Sequence, residues 1–192
     1  VSALRISLTN SRVLGDADWV GLDNYARLIS DDRFTNALTN TALYAVVTTP
    51  ASVALALASA LLLNRVLPLR GLFRGVLFFP FVASLGIVSM AWAFVLDPQV
   101  GLVNHLLNQA GMSIGDGVRD PSWAMPAVML VGIWRNVGFF MVMYLAGLQS
   151  IPREMNEAAV IDGAGPIKRF RHVTWPLLSN TTMFVMIIAS IF

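Results

Sequence analysis

The sequence contains no cysteine and little charge. Of its 192 residues, 12% are Asp, Glu, Lys or Arg, about half the fraction found in soluble domains. The missing cysteines exclude disulfides, thiolate metal sites and cysteine nucleophiles. The net charge of +2 and the lack of a basic run exclude a nucleic-acid-binding surface. Instead, 56% of the residues are hydrophobic and the mean hydropathy is +0.68, which places the chain among membrane proteins.

Motifs for catalysis and for nucleotide binding are missing as well. No Gly-x4-Gly-Lys-Ser/Thr phosphate loop is present, so we expect this chain not to bind ATP. No nucleophile lies near a candidate base, and the two histidines are His105 and His172. We therefore predict a protein that is not an enzyme and has no catalytic residue, metal site or cofactor of its own.

Four stretches are long and apolar enough to cross a bilayer, which takes about 20 residues in a helix. They are residues 41–63, 75–96, 122–148 and 176–192. Because neighbouring helices can satisfy the carbonyls that a proline frees, prolines inside these stretches predict kinks rather than ends. The fold class is therefore all-α, a polytopic helical membrane protein.

The distribution of Lys and Arg predicts the orientation of the chain. Loops 64–74 and 149–175 carry three and four basic residues, whereas loop 97–121 carries one, with three aspartates. Because basic loops stay in the cytoplasm, we predict that loop 97–121 lies outside, as do residues 1–40. The chain opens without Met and is apolar to its end, so we expect a fragment that lacks an earlier span and is cut inside the fourth.

One short helix is predicted in the N-terminal segment. Leu22, Tyr25, Leu28 and Ile29 recur at helical spacing, and Asp23 is a candidate N-cap. We expect this helix to rest its apolar face on the bundle or on the lipid surface.

The loop over residues 150–175 is longer than a turn requires. Pro152 and Pro166 each suit the first position of a helix, and Gly163 suits a left-handed helix end between them. Within the first helix, small or narrow side chains recur at three- and four-residue spacing, at Met155, Ala158, Ala159 and Asp162. The pattern predicts two short helices joined by a glycine turn. They serve either as a docking surface for another protein or as an interfacial pair packed on the chain's own helices.

The segment "EAAVIDGAGPIKRFRHVTWP" resembles the EAA loop of the permease subunits of binding-protein-dependent ABC importers. That pattern has Glu-Ala-Ala, three residues, Gly, nine residues and Ile-x-Leu-Pro. Val173 stands at the Ile position and Trp175 at the Leu position, and Trp is the bulkier departure. The resemblance implies that the loop couples the permease to an ATPase. The residues carried over by position are Glu157, Ala158, Ala159, Asp162, Gly163 and Pro176.

Most of the chain takes part in the resemblance. "WVGLDNYARLISDDRFTNALTNT", "GLVNHLLN" and "LAGLQSIPREMNEAAVIDGAG" are similar to the carbohydrate-uptake branch, of the maltose-transporter-like permease type. The resemblance implies a type I importer fold, with residues 41–192 as the permease core. It also implies two ATPase subunits that hold ATP and Mg, a second homologous permease, an extracytoplasmic solute-binding protein, and a bacterial or archaeal inner membrane.

Arg135 is an unusual residue for a membrane span. It lies about halfway along the third stretch, where an unpaired charge costs at least ~2.5 kcal/mol, and none of the four stretches contains an acid. Two interpretations remain open. Arg135 and Asn136 line a transport path, with Trp134 as a stacking surface for a sugar, or Arg135 is an internal hydrogen-bond clamp and Trp134 packs between helices.

The favoured function is the membrane subunit of an ATP-driven importer for a sugar or a related polyol. One alternative is a permease for an amino acid, a peptide or a metal ion. A secondary transporter would need ionisable relay residues and inverted repeats, and neither is evident. A membrane anchor without a transport path would leave the match to the coupling loop unexplained.

Overall fold

The computed structural model describes residues 2–10, 18–65, 68–109, 111 and 120–191. These residues form two compact units, Val1–Leu43 and Tyr44–Phe192. Helices account for nearly all of the regular structure in the described part of the chain. The all-α prediction is therefore confirmed.

The first unit contains two short helices and a small β-ribbon. Helix α1 covers Ser2–Ser7, strands β1 (Thr9–Asn10) and β2 (Asp18–Trp19) pair antiparallel, and α2 covers Asp23–Ile29. The Asn24 side-chain amide donates hydrogen bonds to the carbonyls of Ser7 and Thr9, at 2.9 and 3.1 Å, which joins α2 to the ribbon.

The predicted cap of α2 is wrong. Asp23 is the first helical residue, and Leu22 occupies the N-cap position without a side-chain hydrogen bond. Position 23 still suits an acid, because a carboxylate in the first turn interacts favourably with the helix dipole. The apolar side chains of Leu22 and Ile29 are exposed.

Two described helices are long and apolar enough to cross a membrane. Helix α3 covers Asp32–Leu63 and contains Pro50. It begins at Asp32 rather than at the predicted residue 41, because the Asp31 carboxylate accepts the Arg33 amide at 2.8 Å and caps a polar first turn.

The prediction that residues 75–96 form a single membrane-spanning helix is wrong. The chain forms α4 (Arg70–Val82) and α5 (Leu85–Val95), which meet at an angle of 99°. Between them, the backbone of Ala83 and Ser84 is extended. Pro80 lacks the amide that would support the last turn of α4, and Ser84 is a residue type that favours the N-cap position of α5. The two helices make a third span if the bent pair is counted as one.

After α5, helix α6 covers Leu102–Gln109 and α7 covers Pro121–Gln149, the latter close to the predicted span 122–148. Asp120 caps α7 by accepting hydrogen bonds from the Ser122 amide at 2.9 Å and hydroxyl at 2.6 Å. These two hydrogen bonds lower the pKa of the Asp120 carboxyl.

The remaining helices follow one another along the chain with only short breaks between them. Helix α8 covers Arg153–Ile161 and α9 covers Pro166–Arg169. A π-helical turn, Phe170–Thr174, leads into α10 (Trp175–Leu177), and α11 covers Ser179–Ala189. The predicted fourth span, residues 176–192, is thus interrupted at Leu178, and its described apolar helix α11 has 11 residues.

The core of the second unit lies between α3, α7 and α11. Ala56 and Ala60 of α3, Phe140 and Tyr144 of α7, and Leu178 belong to this buried cluster, all with at most 1% of their surface exposed. Small residues beside large ones are common where helices pack in lipid.

Helix α4 contacts α7 at Gly138, and this contact yields a stability prediction. A Cβ atom at Gly138 would lie 1.8 Å from the carbonyl oxygen of Leu77, which is backbone and cannot rotate away. Overpacking of this kind typically costs about 1–3 kcal/mol. We expect Gly138→Ala to lower the Tm of the purified complex by several degrees in a thermal-denaturation assay. Gly75→Ala is the matched control, because no heavy atom lies within 4 Å of a Cβ at that position; equal Tm values would contradict the close contact.

Candidate functional site

The predicted coupling residues lie on one compact element, residues 152–177, which we call the coupling element. Pro152 was predicted to be the first residue of α8 but is its N-cap. Glu154 lies in the first turn, where the helix dipole favours an anion. Pro166 is the first residue of α9, as predicted. Pro166 therefore occupies the first helical position, which suits proline, whereas α8 begins at Arg153, one residue after Pro152.

A complete Schellman motif ends α8. Gly163 adopts a φ of +72°, its amide donates to the Val160 carbonyl at 3.0 Å, and the Ala164 amide donates to the Ala159 carbonyl at 2.9 Å. A left-handed residue at this position is nearly always glycine. The turn between α8 and α9 thus has a defined geometry and satisfies the helix's terminal carbonyls.

The second half of the coupling element differs from the sequence prediction. A short helix ending near Phe170 was expected, but the chain continues through the π-helical turn into α10. A π-helical turn widens the helix just before Pro176, whose ring would otherwise clash with the His172 carbonyl one turn earlier. The coupling element is therefore joined to the next membrane helix by helical backbone, with a break at Leu178 rather than a loose loop.

Trp175, the residue that departs furthest from the EAA pattern, does not enter the core. Its ring lies 6.1 Å from that of Phe170, and 45% of its surface is exposed. The adjacent core position is filled by Leu178, which is fully buried. A bulky tryptophan is thus accommodated on the surface of the helix.

The coupling element presents an exposed surface of mixed chemistry. The side chains of Glu157, Ala158 and Asp162 are exposed, as are Gly163 and Pro176. Ala159 is buried, with 9% exposed, so the predicted small-residue face is split between the two sides of α8. Sequence reasoning missed Ile161 and Ile167, which are 86% and 83% exposed. The sequence signal that could have identified them is a pair of isoleucines flanking a glycine turn in an otherwise polar loop.

Behind this surface is a hollow of about 400 Å³, bounded by the ends of α3 and α7 and by the coupling element. Asn64, Arg65, Asn156 and Arg169 contribute its polar lining. The hollow separates part of the coupling element from the ends of α3 and α7.

A second cavity, of about 410 Å³, lies among the membrane helices α3, α5 and α7. Arg135 and Asn136 line it, together with Tyr44, Ser89 and Trp92 and a set of aliphatic side chains. Trp134 is not part of the lining; its ring packs edge-on against that of Trp92, with centroids 5.3 Å apart. Trp92 and Tyr44 are therefore the aromatic side chains at the cavity, and sequence reasoning missed Trp92 because nothing in α5 marks which face is polar.

The Arg135 guanidinium has weak partners within the described structure. It donates to the Asn136 side-chain oxygen at 3.5 Å, and its Cζ lies 5.2 Å from the centroid of the Phe81 ring. The Phe81 ring stacks in turn on Phe139, at 4.2 Å. Arg135 Nε is buried without a hydrogen-bond partner. Among the described residues, no cluster of three His, Cys, Asp or Glu side chains could hold a metal ion.

Comparison with known proteins gives consistent matches. The family of binding-protein-dependent transport system inner membrane components matches residues 33–192. The sn-glycerol-3-phosphate transport system permease protein UgpA of Agrobacterium fabrum is 31% identical over 176 residues, 92% of this chain and 60% of the relative. The sulfoquinovosyl glycerol transport system permease protein SmoG of Agrobacterium fabrum is 34% identical over 175 residues, 91% of this chain and 57% of the relative.

Solved structures show the same similarity. A chain of a bacterial ABC transporter involved in the import of the acidic polysaccharide alginate superposes with a TM-score of 0.77 at 26% identity, over 89% of this chain and 60% of that chain. The alginate transporter in complex with an alginate pentasaccharide-bound periplasmic protein gives a TM-score of 0.76 at 27% identity, over 88% and 59%. The chain thus spans about three fifths of the length of the proteins it matches.

Proposed function

The chain belongs to the family of binding-protein-dependent transport system inner membrane components and has the helical fold of an ABC importer permease; from this premise, we propose that it is a membrane-spanning subunit of an ATP-driven importer. The observation that carries the proposal is the coupling element, a pair of short helices with an exposed surface in which the EAA pattern is met at the right spacing. Such an element can transmit the motion of an ATPase to membrane helices.

The proposed complex contains four kinds of subunit. Two ATPase subunits hold ATP and Mg and contact the coupling element, and a second, homologous permease completes the translocation path. An extracytoplasmic solute-binding protein delivers the cargo, in keeping with the periplasmic protein of the alginate transporter. The complex resides in the inner membrane of a bacterium or an archaeon, and hydrolysis of ATP takes place on the separate ATPase subunits.

The proposed cargo is a sugar or a related polyol. The relatives are named for glycerol-3-phosphate and for sulfoquinovosyl glycerol, and the solved structures are named for alginate. All of these are carbohydrates or polyol derivatives. The cavity beside Trp92 suits such molecules, because an aromatic face packs against a sugar ring while a few polar groups orient it.

One experiment tests the proposal as a whole. The complex is purified from its native membrane through a tag on this chain, reconstituted into lipid vesicles and supplied with its binding protein, and ATP hydrolysis and solute uptake are measured. We expect ATPase subunits and a second permease to copurify, and ATP hydrolysis to rise when the loaded binding protein is added. Copurification without any ATPase subunit, or uptake that follows a proton or sodium gradient instead of ATP, would contradict the proposal.

A further inference from the structure

Arg135 lies where a counter-charge is expected, and the helices around it supply none. It is the central residue of α7, and helices α4, α5, α7 and α11, together with α3 beyond Asp32 at its start, contain no Asp or Glu. A charged side chain at such a depth normally faces a polar cavity and pairs with a partner there. A guanidinium carries five N–H donors, whereas Arg135 makes one long hydrogen bond and one ring contact.

The ring contact holds the guanidinium at the edge of the cavity. Arg135 lies over Phe81, and Phe81 is itself stacked on Phe139 with the two planes only 7° apart. A cation held on an aromatic face is oriented without being neutralised. The stack therefore limits the movement of the side chain without neutralising its charge, and the buried Nε has no hydrogen-bond partner among the described residues.

The rest of the cavity lining suits an organic molecule with one acidic end. Among the described residues that line the cavity, Arg135 is the only charged side chain and no carboxylate is present to neutralise it. Asn136 adds an amide beside it, and Trp92 and Tyr44 add aromatic surface. One charged group, a few polar groups and mainly apolar walls are typical of a site that orients a small ligand.

We propose that this cavity binds the acidic group of an anionic cargo and that Arg135 determines the specificity for it. The cargo is then a sugar acid, or a sugar or polyol that carries a phosphate or a sulfonate. A guanidinium recognises each of these oxyanions through paired N–H donors. A neutral sugar would fill the same volume and leave the charge uncompensated. The inference rests on the proposed import function and narrows its substrate class.

The first test identifies the natural cargo without altering the permease. The cognate binding protein is purified from its native source, and the solute it releases on denaturation is identified by mass spectrometry. We expect a carbohydrate or polyol derivative with a carboxylate, phosphate or sulfonate group. A neutral sugar would overturn the anionic inference and leave the import function intact, whereas a solute that is no carbohydrate would contradict the proposed cargo class itself.

The second test measures charge selectivity in vesicles that contain the whole complex. Uptake of the identified acid is compared with uptake of its fully methylated, uncharged ester, in the wild type and in Arg135→Ala and Arg135→Lys. We expect Arg135→Ala to lower the preference for the acid by about tenfold or more, because a hydrogen-bonded charge pair is lost, and Arg135→Lys to restore part of it. Arg70→Ala, which removes an exposed arginine at the start of α4, should leave the preference unchanged.

The ratio of acid uptake to ester uptake distinguishes a specificity role of Arg135 from a structural one. A clamp inside the bundle would lower the uptake of both solutes equally, and that result would overturn the proposal, as would an unchanged ratio in Arg135→Ala. If Arg135→Ala fails to assemble, Arg135→Lys keeps the charge but lacks the planar pair of donors. It should then show a reduced preference at normal assembly.

Discussion

Replacing Gly163 by proline should abolish the stimulation of ATP hydrolysis by cargo-loaded binding protein in the reconstituted complex. The proline ring fixes φ near −65°, whereas Gly163 has a φ of +72°. The substitution also removes the amide that donates to the Val160 carbonyl. The Schellman motif cannot form, so α9 leaves α8 in another direction and the coupling element loses the shape that an ATPase subunit would recognise.

A graded series at Gly163 strengthens this test. No heavy atom lies within 4 Å of a Cβ at this position, so Gly163→Ala meets only the left-handed backbone penalty, about 1–2 kcal/mol. Asparagine tolerates that region better than alanine does. We expect stimulation to decrease in the order Gly, Asn, Ala, Pro.

The neighbouring glycine provides the matched control. Gly165 has a φ of −64° and an empty Cβ position, so Gly165→Ala should retain full stimulation. Assembly is followed in every variant by copurification of the ATPase subunits. Full stimulation and normal assembly in Gly163→Pro would show that the turn has no part in coupling.

The geometry of the coupling element could be largely predicted from local sequence chemistry. Gly163 and Pro166 act through their own backbone preferences, which operate over a few residues and do not depend on the rest of the fold. For the same reason, both were placed correctly without a structure. The residues that the EAA pattern assigns to coupling stay predictions until the ATPase contact is tested.

The break between α4 and α5 could not be predicted in the same way. Residues 75–96 are apolar on both sides of Ser84, so hydropathy shows one continuous stretch. Pro80 predicts a kink in this stretch, but a break of 99° also depends on tertiary packing such as that of α4 against Gly138 of α7, a contact between residues far apart in sequence. Similarly, the cavity at Arg135 is lined by Trp92 because α5 turns away from α4. The sequence shows that Arg135 lies within an apolar stretch, but it does not show which side chains surround it.

The solvent exposure of individual apolar side chains is another property that could not be predicted from the sequence. The sequence did not indicate that 86% of the surface of Ile161 would be exposed. Helical periodicity locates an apolar stripe but does not say whether the chain itself covers it. On the coupling element, Ala159 is buried while Ile161 and Ile167 are largely exposed, and Ile167 also lines the hollow.

Substituting aspartate for both Ile161 and Ile167 should release the ATPase subunits from the complex. Each isoleucine is more than four fifths exposed, and burying such a side chain in an interface contributes about 1.5–3 kcal/mol. An aspartate there must instead be desolvated without a partner, which adds a further cost. The combined loss corresponds to a weakening of ATPase binding by at least about a hundredfold, measured as ATPase subunits retained on the tagged permease.

The control for this pair is an isoleucine of similar exposure that lies outside the coupling element. Ile29, in α2, is 72% exposed, and Ile29→Asp introduces one such negative charge, where the double variant introduces two. It should retain the ATPase subunits fully. If the double variant also retains them, the exposed isoleucines are not part of the ATPase interface, and docking must rest on Glu157 and Asp162. If Ile29→Asp also releases the subunits, the loss reflects a general effect of added charge on the permease, and the coupling surface must be mapped by another route, such as cross-linking from Ala158.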